Sequence, residues 1–181
     1  MSTLVPGDLV ARLWPHGDDA ANEQVHAVID GARDTRIVPL LRATGLEYTC
    51  LFSGPLSPAL QAAAPYLVHL SPAAALTRQM FEFGWGQGWA VFVRAPAHVT
   101  LAQLRRHLRT LLRVQDEAER ILMFRFYDPR VLRTYLPTCT ESEAAQVLGP
   151  ITEFAFENEC ADALLRFRRE DARRAQVPAI Q

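Results

Sequence analysis

Residues 124–130 read Phe-Arg-Phe-Tyr-Asp-Pro-Arg, and this stretch predicts a corner at which a strand ends and a helix begins. The apolar and aromatic side chains of Ile121–Tyr127 favour an extended strand. Asp128-Pro129 is typical of a helix N-cap followed by the first helical residue, where proline has no amide hydrogen bond to lose. We therefore expect the strand to end at Tyr127 and a helix to occupy Arg130–Leu136.

The charged and aromatic side chains of this corner allow two interpretations. In the structural one, Arg125 and Asp128 form a charge-assisted pair that braces the turn, and the aromatic rings pack on both sides of a central strand. In the functional one, Tyr127 and Arg130 contact a partner, because Tyr and Arg anchor many protein interfaces. We favour the structural interpretation.

On both sides of the corner, short apolar runs alternate with helical segments. The predicted strands are Val25–Ile29, Glu47–Phe52, Tyr66–Leu70, Trp89–Val93, Ile121–Tyr127 and Ile151–Phe156. This alternation indicates the α/β class, here a single layered domain with a central β-sheet flanked by helices. Because only a brief helix links the second and third strands, strict βαβ repetition is absent and we expect a mixed sheet.

Two capping boxes mark helix starts, at Thr100 with Gln103 and at Thr140 with Glu143. The first opens the clearest helix of the chain, and the second opens a helix that ends at Gly149. We divide the chain into an N-terminal lead-in (1–24) that includes a short helix around Pro6–Leu13, an α/β domain (25–159) and a C-terminal helical tail (160–181).

Composition excludes several classes of protein. The chain has 181 residues, 49% of them hydrophobic, and a net charge of −1, which argues against a disordered chain and against a globally basic nucleic-acid binder. The three cysteines are far apart and odd in number, which argues against a secreted disulfide framework. Neither a signal peptide nor an apolar run of about 20 residues is visible. We expect a cytoplasmic protein that binds neither a membrane nor nucleic acid.

No motif for catalysis, a cofactor or a metal is apparent. Gly84, Gly86 and Gly88 follow a helix and open a strand, the reverse of a dinucleotide-binding loop, so we interpret them as a helix-stopping turn. The histidines have no metal-ligand spacing, and the Gly-x-Ser-x-Gly elbow is absent. We therefore predict no catalytic, cofactor-binding or metal-binding residues. The alternative is a small cytoplasmic hydrolase or transferase with an unrecognised site.

Two clusters of charge have competing interpretations. The arginines of the first capped helix (Arg105, Arg106, Arg109 and Arg113) are suited to bind phosphates, or they form a solvated face paired with nearby acids, which is the interpretation we favour. The glutamates near the last strand are suited to glycoside cleavage, or they form a solvated sheet edge, which we again favour. These glutamates are Glu153, Glu157 and Glu159.

Several segments of the chain resemble one bacterial family, the domain-of-unknown-function 4123 family, known as type VI secretion adaptors or effector chaperones (Tap or TEC). The segments that carry the resemblance are Asp30–Asp34, Leu46–Phe52, Ala64–Val68, Gly84–Gly86, Arg105–Leu108, Phe124–Arg130 and Leu136–Thr138. The similarity covers roughly Val25–Glu159, and the corner with the Leu-Pro-Thr that follows it is its most specific part.

The resemblance implies a non-catalytic accessory protein without a cofactor. Members of this family bind a toxic effector and promote its loading onto the VgrG spike. Its partners would then be the cognate secreted effector and VgrG. As partner-binding surface we expect exposed apolar, aromatic and arginine side chains, and the candidates are Trp85, Trp89, Tyr127, Arg130, Leu164, Leu165 and Phe167.

Overall fold

The computed structural model describes residues 6–14, 22–115 and 118–175. The strands are β1 (Glu23–Asp30), β2 (Tyr48–Cys50), β3 (Pro65–Leu70), β4 (Ala90–Pro96), β5 (Arg113–Gln115), β6 (Ile121–Met123), β7 (Glu153–Glu157) and β8 (Leu164–Phe167). The helices are α1 (Pro6–Leu13), α2 (Ile37–Ala43), α3 (Pro58–Ala62), α4 (Ala75–Gln79), α5 (Leu101–Leu111), α6 (Pro129–Tyr135), α7 (Glu141–Leu148) and α8 (Arg169–Ala175). A π-helical turn (Met80–Gly84) extends α4, and a 3-10 turn (Leu136–Thr138) extends α6.

Six strands form a central sheet in the order β2-β3-β1-β4-β7-β8, and β5 pairs with β6 in a separate hairpin. The predicted α/β class, with helices flanking a central sheet, is confirmed. The strand directions differ from the expected mixture, because every neighbouring pair in the sheet is antiparallel. The pairings make β1 parallel to β2, but β3 lies between them, so the helical crossover between these two strands creates no parallel pair.

Side chains of the sheet alternate between two hydrophobic cores. Val25, Ala27 and Ile29 of β1 pack into the core beneath α1, α2 and α4. Val28 faces the opposite core, which α5, α6 and α7 cover. Helix α1 contributes fully buried leucines to the first core, so this helix, which lies within the segment interpreted as a lead-in, is part of the packed structure.

The corner segment differs from its predicted form. Strand β6 ends at Met123, and Phe124–Tyr127 leave it as irregular chain, so the aromatic rings do not line a central strand. Instead, the Phe124 ring packs edge-on against Tyr135, with 4.8 Å between ring centroids. Helix α6 begins as expected, with the Asp128 carboxylate accepting a hydrogen bond from the Arg130 amide.

The C-terminal segment also differs from its predicted form. The range 160–181, predicted as a helical tail, contains strand β8, and its described helix is confined to α8. The antiparallel partner of β8 is β7, which provides the backbone hydrogen bonds that an isolated short helix would have to form internally. Leu164 and Phe167 therefore lie on an edge strand of the sheet.

Both predicted capping boxes are present. Thr100 and Gln103 satisfy each other's backbone amides at the start of α5, and Thr140 and Glu143 do so at the start of α7. Helix α7 ends at Gly149, as expected. Within the described ranges, no helix is both long enough and apolar enough to cross a bilayer.

Candidate functional site

Three segments that are distant in sequence meet at one end of the sheet: the end of β1, the glycine turn Gly84–Gly88 and the corner Phe124–Arg130. The Arg125 guanidinium donates to the Asp30 carboxylate at 2.5 Å, across 95 residues of chain. The Asp30 amide donates to the Trp89 carbonyl at 2.9 Å. We call the charged side chains gathered here the corner cluster, namely Asp30, Arg125, Asp128, Arg130 and Glu157.

Asp30 is the most deeply buried acid of the corner cluster. One of its carboxylate oxygens accepts the Ala32 amide at 3.1 Å, and the other accepts the Arg125 side chain. Arg125 approaches Asp128 only to 4.0 Å, so the pair predicted to brace the corner is a secondary contact. The principal partner of Arg125 is therefore an acid that lies far away in sequence.

Arg130 pairs with Asp128 in a two-point interaction. Its Nε and Nη2 atoms donate to the two carboxylate oxygens of Asp128 at 2.9 and 2.6 Å. Burial opposes the charge on Asp128, but the hydrogen bonds from Arg130 outweigh it and hold the pKa of Asp128 below its usual value. Two donors of the Arg130 guanidinium therefore bind the acid that caps α6, and the rest of the side chain is exposed to solvent.

The glycine turn binds a carboxylate of the protein itself. The amides of Gly86 and Gly88 donate to the two oxygens of Glu157 at 2.6 and 2.9 Å. Both glycines have a positive φ, 81° and 68°, and residues with a side chain rarely adopt this backbone conformation. Burial raises the pKa of Glu157, although the two amides oppose that rise. Because Glu157 occupies the amides, the turn fastens two parts of the fold together and does not offer them to a phosphate.

Replacing Glu157 with alanine is expected to cost about 2 kcal/mol of unfolding free energy, because the buried Gly88 amide loses its acceptor. Glu159 is exposed and two residues away, so Glu159→Ala is the matched control and should change stability by less than about 0.5 kcal/mol. Urea denaturation measures both. Equal effects of the two substitutions would contradict this account of the turn.

The predicted partner-binding residues differ in how far they are exposed to solvent. Trp89, Tyr127 and Phe167 are buried, so they belong to the core and present no surface to a partner. Trp85 is half-buried, and its indole donates to the Ala161 carbonyl at 2.7 Å. Arg130 and Leu165 are exposed, and Leu164 is half-buried like Trp85.

Glu153 and Glu157 do not form a solvated edge. Their strand, β7, lies between β4 and β8, and both side chains are buried. Glu153 accepts hydrogen bonds from Arg166 at 2.8 Å and Arg168 at 2.6 Å, and it also faces Arg94 at 3.5 Å. Arg94 pairs in addition with Glu23. These charges neutralise one another and tie β1, β4, β7 and β8 together.

A groove of about 700 Å³ lies between α5 and the segment that includes α3. We call it the arginine groove. Its apolar lining consists of Leu51, Phe52, Leu56, Leu60, Leu112 and Met123, and its charged lining consists of Arg105, Arg106, Arg109 and Arg113. Among the described residues that line it, none is acidic.

The arginines of this groove match the expected solvated, acid-paired face only in part: Arg106 and Arg113 are exposed, but no acid of the described residues pairs with them. Arg105 donates to the Cys50 carbonyl at 2.9 Å and is held against the end of β2. Within the described part of the chain, Arg106, Arg109 and Arg113 form no ion pair with an acid.

Apolar side chains cover the hairpin formed by β5 and β6, which borders the arginine groove. Ile121 is 71% exposed, Met123 57% and Leu122 47%. This surface was not expected from the sequence, because the apolar run was interpreted as part of a central strand. The signal for it is that the apolar run 121–123 directly follows a polar, largely acidic stretch, 115–120, which separates it from the preceding helix.

Groups suited to catalysis are dispersed. Burial and the neighbouring His69 lower the pKa of His26 to about 3, and the Nε2 atom of His107 lies 2.9 Å from the Val147 carbonyl. Burial raises the pKa of the Cys139 thiol. No three His, Cys, Asp or Glu side chains of the described ranges lie together in a way that would hold a metal ion.

One comparison with known proteins gives a match. A family model described as "Domain of unknown function (DUF4123)" matches residues 25–146, two thirds of the chain. The matched range includes Asp30, the glycine turn, the corner and the lining of the arginine groove. No curated protein and no solved structure matches the chain.

Proposed function

The chain belongs to the DUF4123 family, and on that premise we propose that it is a non-catalytic adaptor of type VI secretion. In this role it binds a toxic effector in the cytoplasm and promotes loading of that effector onto the VgrG spike. The motifs that resemble the adaptors of this family supply the link to secretion. The surface chemistry described above supplies an independent argument for protein binding.

The observation that carries the proposal is the apolar surface of the β5–β6 hairpin. Its three adjacent apolar residues, Ile121 to Met123, are each about half exposed or more. Large apolar side chains that adjoin one another on a surface are typical of protein-binding sites. Adaptor function requires such a surface and requires no reacting group.

The corner cluster supports this function indirectly, as scaffold. Asp30–Arg125 and Asp128–Arg130 fix the chain that follows the hairpin, and the Phe124 amide donates to the Leu112 carbonyl at 2.9 Å. These contacts hold the exposed hairpin against α5. The motifs that carry the family resemblance thus position a surface and do not form its contact residues.

Co-expression with the effector encoded beside the gene, and with the VgrG of the same cluster, tests the proposal. We expect the three proteins to elute together in size-exclusion chromatography. Ile121→Asp is expected to weaken the complex at least about tenfold, because it places a charge within the apolar contact. Phe83→Asp is the matched control, since Phe83 is 47% exposed but lies beside α4 and packs towards Arg36, away from the hairpin.

Effector secretion measured in a strain that lacks the chain adds a cellular readout. The wild-type chain and Phe83→Asp should restore secretion, and Ile121→Asp should not. If neither the effector nor VgrG co-purifies with the wild-type chain, the adaptor proposal is wrong.

A further inference from the structure

We propose that the arginine groove binds an acidic, amphipathic segment of a partner protein. This inference rests on the proposed adaptor function, because it names the chemistry of the segment by which a partner is held. The groove combines two features that such a segment satisfies together: along one wall, positive charge that no acid of the described residues pairs with, and along the floor, the exposed side chains of Leu60 and Met123.

The charge of the groove is arranged for a partner that follows the axis of α5. Arg106 and Arg109 lie one helical turn apart, and Arg113 directly follows the helix cap at Leu112. Arg106 and Arg109 are about 5 Å apart along the helix axis, and Arg113 begins β5 just beyond the end of the helix. Acidic residues three or four positions apart on a helical segment reproduce that spacing, so they can meet these arginines in succession.

The arginines of the groove wall differ from other arginines of the fold, because no acid of the described residues pairs with them. Elsewhere in the fold, arginines such as Arg94, Arg125 and Arg168 pair with buried or half-buried acids. By contrast, the groove wall gathers four arginines in a chain whose net charge is −1, and no acid of the described residues lines it. A local excess of one sign of charge attracts and orients a partner of the opposite sign.

The floor of the groove favours a protein segment over a nucleic acid. Leu60 and Met123 are exposed and Leu56 is half-buried, and these side chains offer apolar contacts that a phosphate backbone does not use. Single-stranded nucleic acids are held by several stacked aromatic rings, and among the described lining residues Phe52 is the one aromatic side chain. Leucine-like side chains on one face of an acidic helix fit both the floor and the flexible Met123.

A synthetic peptide provides the first test. The probe is a fluorescein-labelled peptide of about fourteen residues, or four helical turns, with Leu on one face and Glu on the other. Fluorescence anisotropy with the full chain is expected to show binding that weakens as salt is added. The triple charge reversal Arg106→Glu/Arg109→Glu/Arg113→Glu is expected to weaken binding ten- to hundredfold, roughly.

Matched controls separate the groove from general charge effects. Arg78→Glu reverses an exposed arginine on α4, at the opposite face of the sheet, and should leave peptide affinity unchanged. Circular dichroism and urea denaturation should show that the triple variant remains folded, since all three positions are at the surface or half-buried. As a second route that keeps every arginine, Met123→Asp should also weaken binding.

Two further probes, a peptide without leucines and a single-stranded oligonucleotide, test whether the groove prefers an acidic, amphipathic segment. A peptide with Ser in place of every Leu should bind at least tenfold more weakly. Equal binding of that peptide, unchanged binding by the triple variant, or tighter binding of a single-stranded oligonucleotide than of the acidic peptide would each overturn the inference.

The complex with effector and VgrG separates this inference from the proposed function. If the triple variant still forms that complex as tightly as the wild-type chain, the groove inference fails and the adaptor function stands. If the wild-type chain binds the acidic peptide through the groove but forms no complex with effector or VgrG, the adaptor function fails and the groove inference stands.

Discussion

Lowering the pH from about 6.5 towards 3 is expected to destabilise the protein through one buried imidazole, that of His26. Burial, with a smaller contribution from His69, lowers the pKa of His26 to about 3 from an ordinary value of 6.5. Above pH 6.5 the side chain is neutral in both the folded and the unfolded chain. Below it, only the unfolded chain takes up the proton, so the free energy of unfolding falls until the pH approaches 3.

The surroundings of His26 explain why the folded state resists protonation. His26 lies on the central strand β1 between β3 and β4, with its ring centroid 5.1 Å from that of His69. Its Nδ1 atom has no hydrogen-bond partner among the described residues. A protonated imidazole carries N–H groups at both nitrogens, so charging His26 would bury a donor without an acceptor as well as a charge.

The expected slope is about 1.4 kcal/mol per pH unit for a single group, or about 5 kcal/mol across the whole window. Urea denaturation between pH 7 and pH 4, roughly the range in which His26 dominates, measures it. His26→Leu should flatten the curve, because leucine fills the site without titrating. His98→Gln, at an exposed histidine, is the control and should retain the wild-type slope.

Parallel curves for wild type and His26→Leu would contradict this assignment. The lowered pKa of Asp128 adds a further loss of stability below its ordinary pKa of 3.8, as that carboxylate is protonated and releases Arg130. Above pH 3.8, the difference between the wild-type and His26→Leu stability curves therefore reports the titration of His26.

The features predicted correctly from sequence are those set by neighbours along the chain. Thr100 and Gln103 lie three residues apart, so their capping box follows from spacing alone, and the same holds for the Asp128 cap of α6. The α/β class follows from alternating strand and helix patterns, which are local as well. The strand directions depend on which strands become neighbours, and that information is not local.

Long-range pairing explains what sequence reasoning missed at the site. Asp128 is three residues from Arg125 and was the natural partner to predict, but Asp30, 95 residues away, forms the shorter contact. Glu153 looked like an edge residue because β8 was interpreted as part of a helix. Once β8 joins the sheet, β7 becomes internal and Glu153 is buried.

The burial of Glu153 leads to the second large effect. Glu153→Ala is expected to lower the free energy of unfolding by about 3 kcal/mol, because it removes the acid that pairs with arginines on two different strands, β4 and β8. The side chain is 1% exposed and contacts Arg94 on β4, Arg166 on β8 and Arg168 directly after β8. Arg94 is itself largely buried and keeps Glu23 as a partner, so the cost is spread over the three arginines that lose their contact with Glu153.

A graded series checks that explanation. Arg168→Ala removes one half-exposed partner and should cost only about 1 kcal/mol, because Glu153 keeps Arg94 and Arg166. Glu153→Gln keeps the shape and one acceptor oxygen, so it should fall between the two and remain folded if the alanine variant does not. Urea denaturation supplies the free energies, and hydrogen exchange of the β8 amides reports whether this edge strand detaches first.

The order of the three losses in unfolding free energy tests whether the charge of Glu153 holds β8 in the sheet. If charge at Glu153 holds β8 to β7, the loss should follow the number of arginine contacts removed, and β8 amides should exchange faster in Glu153→Gln than in Arg168→Ala. If Glu153→Ala costs no more than Arg168→Ala, the strand is held by its backbone pairing and by Phe167 in the core.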